Sequence, residues 1–97
     1  MEPSKCYHKN SHVVTTELED GAILLNLNTK YYYNLNETGV SIWQALDESG
    51  DPETIATQLT HEYDVDNKQA SAFLRELLED LEKEGLIFAD RKKADNE

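Results

Sequence analysis

At 97 residues the chain is long enough for one hydrophobic core and too short for two. Its 20 acidic residues outnumber its 9 Lys and Arg, for a formal net charge of -11, and a surface of that sign repels the phosphates that a duplex-binding protein must neutralise. No run approaches the roughly 18 consecutive apolar residues of a membrane span, and the first residues lack the apolar centre of a signal peptide, so neither nucleic acid nor membrane is expected as a partner and a cytoplasmic location is.

The charge is uneven. Residues 1 to 36 carry four acids and three bases, whereas residues 37 to 66 carry eight acids and no Lys or Arg. A single cysteine, Cys6, allows no internal disulfide, so packing must hold the fold together, in keeping with a reducing compartment.

Residues 1–11 are polar and contain Pro3, which predicts a flexible arm. Cys6, His8 and His12 raise the question of zinc, but their C-x-H-x3-H spacing fits no common structural site and leaves a fourth ligand missing; neither metal nor organic cofactor is expected. The β-branched stretch from His12 to Leu18 predicts a first strand. Glu19-Asp20-Gly21 supplies a turn, and Ala22 to Leu27 a second strand. Alternation sets Ile23, Leu25 and Leu27 on one face and Ala22, Leu24 and Asn26 on the other; hydrophobicity alone selects the first set for the core. Asn28-Thr29-Lys30 leads into a third strand, Tyr31 to Leu35, with Tyr31, Tyr33 and Leu35 on one side and Tyr32 and Asn34 on the other.

Asn36 is placed to cap a helix carrying Val40, Ile42, Trp43 and Leu46. Gly39 in its first turn is unfavourable by propensity and implies a close approach there. Trp43 reads as a core anchor. Asp51-Pro52 starts a second helix with the stripe Ile55, Ala56 and Leu59. Tyr63-Asp64-Val65 links it to a third, capped by Asp66 with Gln69 three residues on. In that long helix Ala70, Phe73, Leu74, Leu77, Leu78 and Leu81 share one broad face. Gly85 is fit to end it in the left-handed conformation. Leu86 to Ala89 should be extended, and residues 90–97 should fray.

The order is therefore β-β-β-α-α-α. It predicts an α+β, winged-helix-like domain over 12–89, with a three-stranded antiparallel sheet packed on three helices. The third strand lies at an edge unless the terminal segment covers it. No nucleotide-binding, metalloprotease or nucleophile-elbow motif is present, and the helix carboxylates fall opposite Leu and Ile, where solvated charge is the ordinary explanation. The chain reads as a binding protein and not an enzyme.

The segment 21–46, GAILLNLNTKYYYNLNETGVSIWQAL, resembles the PqqD-like family, also called RiPP precursor peptide recognition elements. The resemblance rests on Tyr32-Tyr33-x-Leu35-Asn36, Gly39, and Ile42-Trp43 followed by Leu46. It extends through Tyr63-Asp64-Val65 to Gly85-Leu86-Ile87. It implies a non-catalytic protein that binds the leader segment of a ribosomally made precursor peptide and presents it to a modifying enzyme, either a radical SAM enzyme or a leader peptidase. It further implies that the leader adds as a strand to the third strand, in the groove beside the third helix. The candidate contacts are then Tyr31, Tyr32, Tyr33, Asn34 and Leu35 on the strand, with Gln69, Phe73, Arg75, Glu76, Leu77 and Asp80 on the helix. Glu76 and Asp80 would favour a peptide carrying Lys or Arg, and Arg75 would meet a leader carboxylate.

Two other readings compete. A winged-helix transcription regulator would insert the third helix into DNA, but its approach through Glu62, Asp64 and Asp66 has the wrong sign. A structural homodimer would pair the exposed strand edges across a two-fold axis.

Overall fold

The computed structural model describes residues 5–91. Its elements run β1 (Lys5–Lys9), β2 (Val13–Leu18), β3 (Gly21–Asn26), β4 (Tyr32–Asn36), α1 (Glu37–Glu48), α2 (Pro52–Tyr63), α3 (Asn67–Lys83) and β5 (Ile87–Arg91). The fold is α+β: β2, β3 and β4 form an antiparallel meander, and three helices pack on one of its faces around a shared core.

α3 is the long wall of that core. The Asp66 carboxylate accepts the Gln69 N–H at 2.8 Å, satisfying a free amide of the first turn. Ala70, Leu74, Leu77, Leu78 and Leu81 are buried; each leucine contributes about 1.5–3 kcal/mol by leaving water. Phe73 departs from the expected stripe and is 36% exposed. At 3.6 residues per turn it sits roughly 80° from the centre of the buried face, so it forms the margin of the core and not its middle. The helix ends as expected at Gly85, whose φ of 74° is left-handed. Its N–H donates to the Glu82 carbonyl and that of Leu86 to the Leu81 carbonyl, the paired bonds of a Schellman motif.

The facing of β3 is the reverse of the expectation from hydrophobicity. Ala22, Leu24 and Asn26 are buried, whereas Ile23 and Leu25 are half-buried and Leu27 is exposed. Asn26 accounts for the choice. Its amide nitrogen donates to the Glu84 carbonyl at the end of α3 (2.9 Å), and its amide oxygen accepts the N–H groups of Asn28 (2.9 Å) and Thr29 (3.2 Å). Because side chains alternate with a period of two, seating Asn26 inward turns Ile23 and Leu25 outward as a set.

The expected loose arm is also corrected. Residues 5–9 form β1 and pair with β5, Tyr7 opposite Ala89 and Cys6 opposite Asp90, so Asp90 and Arg91 belong to a strand and not to a fraying tail. Residues 1–4 and 92–97, the remainder of the arm and tail, lie outside the described residues. The Tyr7 N–H donates to the Gly50 carbonyl at 2.9 Å, and a Cβ on Gly50 would collide with the Tyr7 carbonyl, so the strand reaches α1 only over a glycine. The Lys9 ammonium pairs with Asp47 at 2.9 Å and lies 4.4 Å from the Trp43 ring centre. Trp43 is the expected core anchor, and its indole N–H donates to the Thr15 hydroxyl at 3.0 Å.

Replacing Asn26 with Leu leaves the carbonyl of Glu84 and the amides of Asn28 and Thr29 without their buried partner. Asn26→Leu is expected to lower unfolding free energy by about 2–4 kcal/mol in urea titrations, while Asn28→Ala on the exposed turn changes it by less than about 0.5 kcal/mol.

Candidate functional site

β4 is the outer strand of the meander, and among the described residues nothing pairs with its far side; the terminal segment goes to β1 instead. The ladder fixes which backbone groups are free. The Asn26 N–H donates to the Tyr31 carbonyl at 3.0 Å, and residues 33 and 35 stand opposite 24 and 22. Hydrogen-bonded and non-bonded pairs alternate in an antiparallel ladder, so 31, 33 and 35 face their bonding groups toward β3, and the N–H and C=O of Tyr32 and Asn34 point to the open edge.

Beside that edge runs a groove of about 430 Å³, floored by β4 and walled by α3. Leu35 and Leu77, both buried, give it an apolar bottom, and partly exposed Phe73 stands at one end. Glu76 and Asp80, one turn apart and exposed, give it an acidic rim. The Tyr33 hydroxyl donates to the Asp80 carboxylate at 3.3 Å, joining floor to wall. A second hollow of about 350 Å³ shares Asn36 and Phe73 with the first and continues it toward Tyr63 and Val65. Tyr63 is held there by a 2.6 Å hydrogen bond between its hydroxyl and that of Ser41.

The structure thus gathers Tyr33, Asn34, Leu35, Phe73, Glu76, Leu77 and Asp80 in one groove. Tyr31 and Tyr32 are exposed at its strand side and do not line it. Gln69 lies one turn before Phe73, off the groove's end. Arg75 is two residues past Phe73, roughly 200° around the helix, and lines a different hollow of about 590 Å³ with Tyr7 and Glu53. That hollow is larger, but the strand residue beside it, Tyr7, already donates its N–H to the Gly50 carbonyl. Asn36 and Gly39 also line the groove and were not singled out as contacts by sequence. The signal for them was present: Asn36 caps α1 by accepting the Gly39 N–H at 2.8 Å, and a Cβ on Gly39 would press on Leu35 at 3.1–3.3 Å, the close approach its position implied.

The histidines of the possible zinc set point elsewhere. His8 stacks near Phe88, ring centres 5.2 Å apart, and His12 Nε2 lies 3.3 Å from the Gly85 carbonyl. What the groove offers chemically is a strand template, an apolar floor and negative charge.

Residues 21–87 match the family described as Coenzyme PQQ synthesis protein D (PqqD). The fold is similar to that of TbiB1, solved in complex with the TbiA(beta) leader peptide, at 33% identity and a TM-score of 0.78, over 86% of this chain and 99% of that one. It is also similar to lasso peptide synthetase B1 complexed with the leader peptide, at 26% identity and a TM-score of 0.76, over 84% and 96% of the two chains. No individual curated protein matches.

Burial raises the pKa of the Tyr33 phenol, and the neighbouring Asp80 and Glu84 carboxylates reinforce the shift. A raised folded-state pKa means that the native state holds this proton more tightly than the unfolded chain. The associated stability is complete below the unfolded value of about 10 and is lost as pH rises through the folded one. Thermal melts from pH 8 to 11 should therefore show a shallower alkaline loss of Tm for Tyr33→Phe than for the wild type; parallel curves would contradict the assignment.

Proposed function

The chain belongs to the PqqD family of non-catalytic recognition proteins, and from that premise we propose that it captures the leader of a ribosomally made precursor peptide as a fourth strand on β4. The open N–H and C=O groups of Tyr32 and Asn34, set beside an apolar groove, carry this reading. An unblunted strand edge is a standing template for another chain, and this one has neither proline nor charge along it.

Strand addition divides the task in two. Backbone bonds, each worth about 0.5–1.5 kcal/mol net, hold any extended segment and so set position. Alternate side chains of the added strand then enter the groove, where Leu35, Phe73 and Leu77 take apolar groups and Glu76 and Asp80 attract Lys or Arg. Arg75, on the other flank, takes no part in the groove. Ordering a flexible leader opposes binding, so the backbone bonds and the groove contacts together must exceed that cost.

The captured leader is presented to a modifying enzyme. Of the two classes the family serves, the leader peptidase is the one the family resemblance assigns to lasso peptide systems, and the similarity to lasso peptide synthetase B1 favours it; a reducing cytoplasm suits the lone cysteine. The regulator alternative is disfavoured at the turn before α3, where Glu62, Asp64 and Asp66 stand exposed and outnumber the one nearby base, Lys68.

Asn34→Pro tests the edge directly. It deletes an N–H that bonds to no neighbouring strand, and proline is tolerated at such edge positions. Fluorescence anisotropy with the synthetic TbiA(beta) leader should show binding weakened about tenfold or more, with far-UV circular dichroism unchanged. Wild-type affinity in the folded variant would remove strand addition from the account.

A further inference from the structure

The solvent side of α3 is charged in two halves. Residues 67–75 carry Lys68 and Arg75 and no acid, whereas residues 76–84 carry Glu76, Glu79, Asp80, Glu82 and Glu84 against the single base Lys83. That order opposes the helix dipole, which favours acids in the first turn and bases in the last, and the first turn of α3 holds no acid at all. The two bases are also unmatched within the chain. Among the described residues the ion pairs are His8 with Asp90 and Lys9 with Asp47, so Arg75 pairs neither with Glu79 one turn on nor with Glu53 across the hollow they share.

These charges form a stripe. At about 100° per residue Lys68, Arg75, Glu79 and Glu82 fall within roughly 60° of one another, and all four are exposed. Between the bases lies a shallow hollow of about 460 Å³, lined by the small side chains of Ser71 and Ala72. We infer that this stripe pairs with the same stripe of a second copy, the two α3 helices running antiparallel about a two-fold axis. Charge complementarity selects that occupant. A stripe basic at one end and acidic at the other matches itself only when reversed, and reversal sets Lys68 toward Glu82 of the second copy and Arg75 toward its Glu79, each twice over. The net charges of -11 oppose the approach, but at physiological ionic strength they are screened beyond about 8 Å, while the stripe charges meet inside that range. The 17 residues of α3 span about 25 Å, a contact at the small end of specific interfaces, so the dimer is weak and reversible. Phe73 and Leu77 lie roughly 150–170° round the helix from the stripe, so both grooves stay open and the inference does not depend on what fills them.

Sedimentation velocity of the whole chain, from about 10 μM to 1 mM, should show a concentration-dependent dimer whose dissociation constant rises about tenfold or more between roughly 50 and 500 mM NaCl. Lys68→Glu/Arg75→Glu and Glu79→Lys/Glu82→Lys should each be monomeric alone, and an equimolar mixture of the two should restore pairing as a heterodimer. The variants move the net charge in opposite directions, so loss of the dimer in both excludes general repulsion as its cause. Each also turns α3 toward the order its dipole favours, so neither should melt below the wild type. A wild type that stays monomeric throughout, a dimer that survives either variant, or a mixture that does not pair overturns the inference. Survival in both variants would assign the dimer to the open strand edges; a monomeric wild type whose Lys68→Glu/Arg75→Glu variant loses affinity for the TbiA(beta) leader would assign the stripe to the leader.

Discussion

One buried amide sets the relation between the sheet and the long helix. Asn26 is 2% exposed, and its side chain bonds at once to the end of α3 and to the turn that leads into β4. A buried polar group without partners is costly, so Asn26 can sit inward only where Glu84 offers its carbonyl. The same contact holds the end of α3, capped by left-handed Gly85, over the sheet; a Cβ on Gly85 would come within 3.1 Å of the Asn26 nitrogen. The hydrogen bond that ties the end of α3 to the sheet thus lies outside the groove.

The consequences spread through the strand alternation. With Asn26 inward, Leu24 and Ala22 enter the core, Ile23 and Leu25 turn to the open face, and Tyr33 and Leu35 fall beneath α3. One register choice therefore produces the groove on the helix side. The β1–β5 ribbon contributes by what it leaves free. By pairing with β1, β5 does not reach β4, and among the described residues the template edge remains open.

Much of this was legible in the sequence. Helix bounds followed from Asn36, Asp51-Pro52, Asp66 and Gly85, each a local stop or start signal that the structure uses. The third strand and α3 were recognisable as neighbours, and so was most of the groove. What misled was hydrophobicity applied without partners. Ile-Leu-Leu outweighs Ala-Leu-Asn on any scale, but the scale does not know that a helix terminus 58 residues away has a carbonyl to share. The polar segment KCYHK failed as a strand signal for a related reason: Tyr7 and the stem of Lys9 pack on the core while their polar neighbours stay outside, and its partner β5 is remote in sequence. Phe73 was misplaced because periodicity marks a stripe and not its margins, and margins are where grooves lie.

The central claim is that the outward backbone groups of β4 receive a peptide strand, and residue-resolved amide hydrogen exchange reads those groups themselves. On saturation with the TbiA(beta) leader, the account predicts that the N–H groups of Tyr32 and Asn34 slow by at least about tenfold, whereas those of Tyr33 and Leu35, already directed at β3, change little. Protection confined to the other sheet edge, at Val14 to Leu18, or uniform along β4 without alternation, would contradict it.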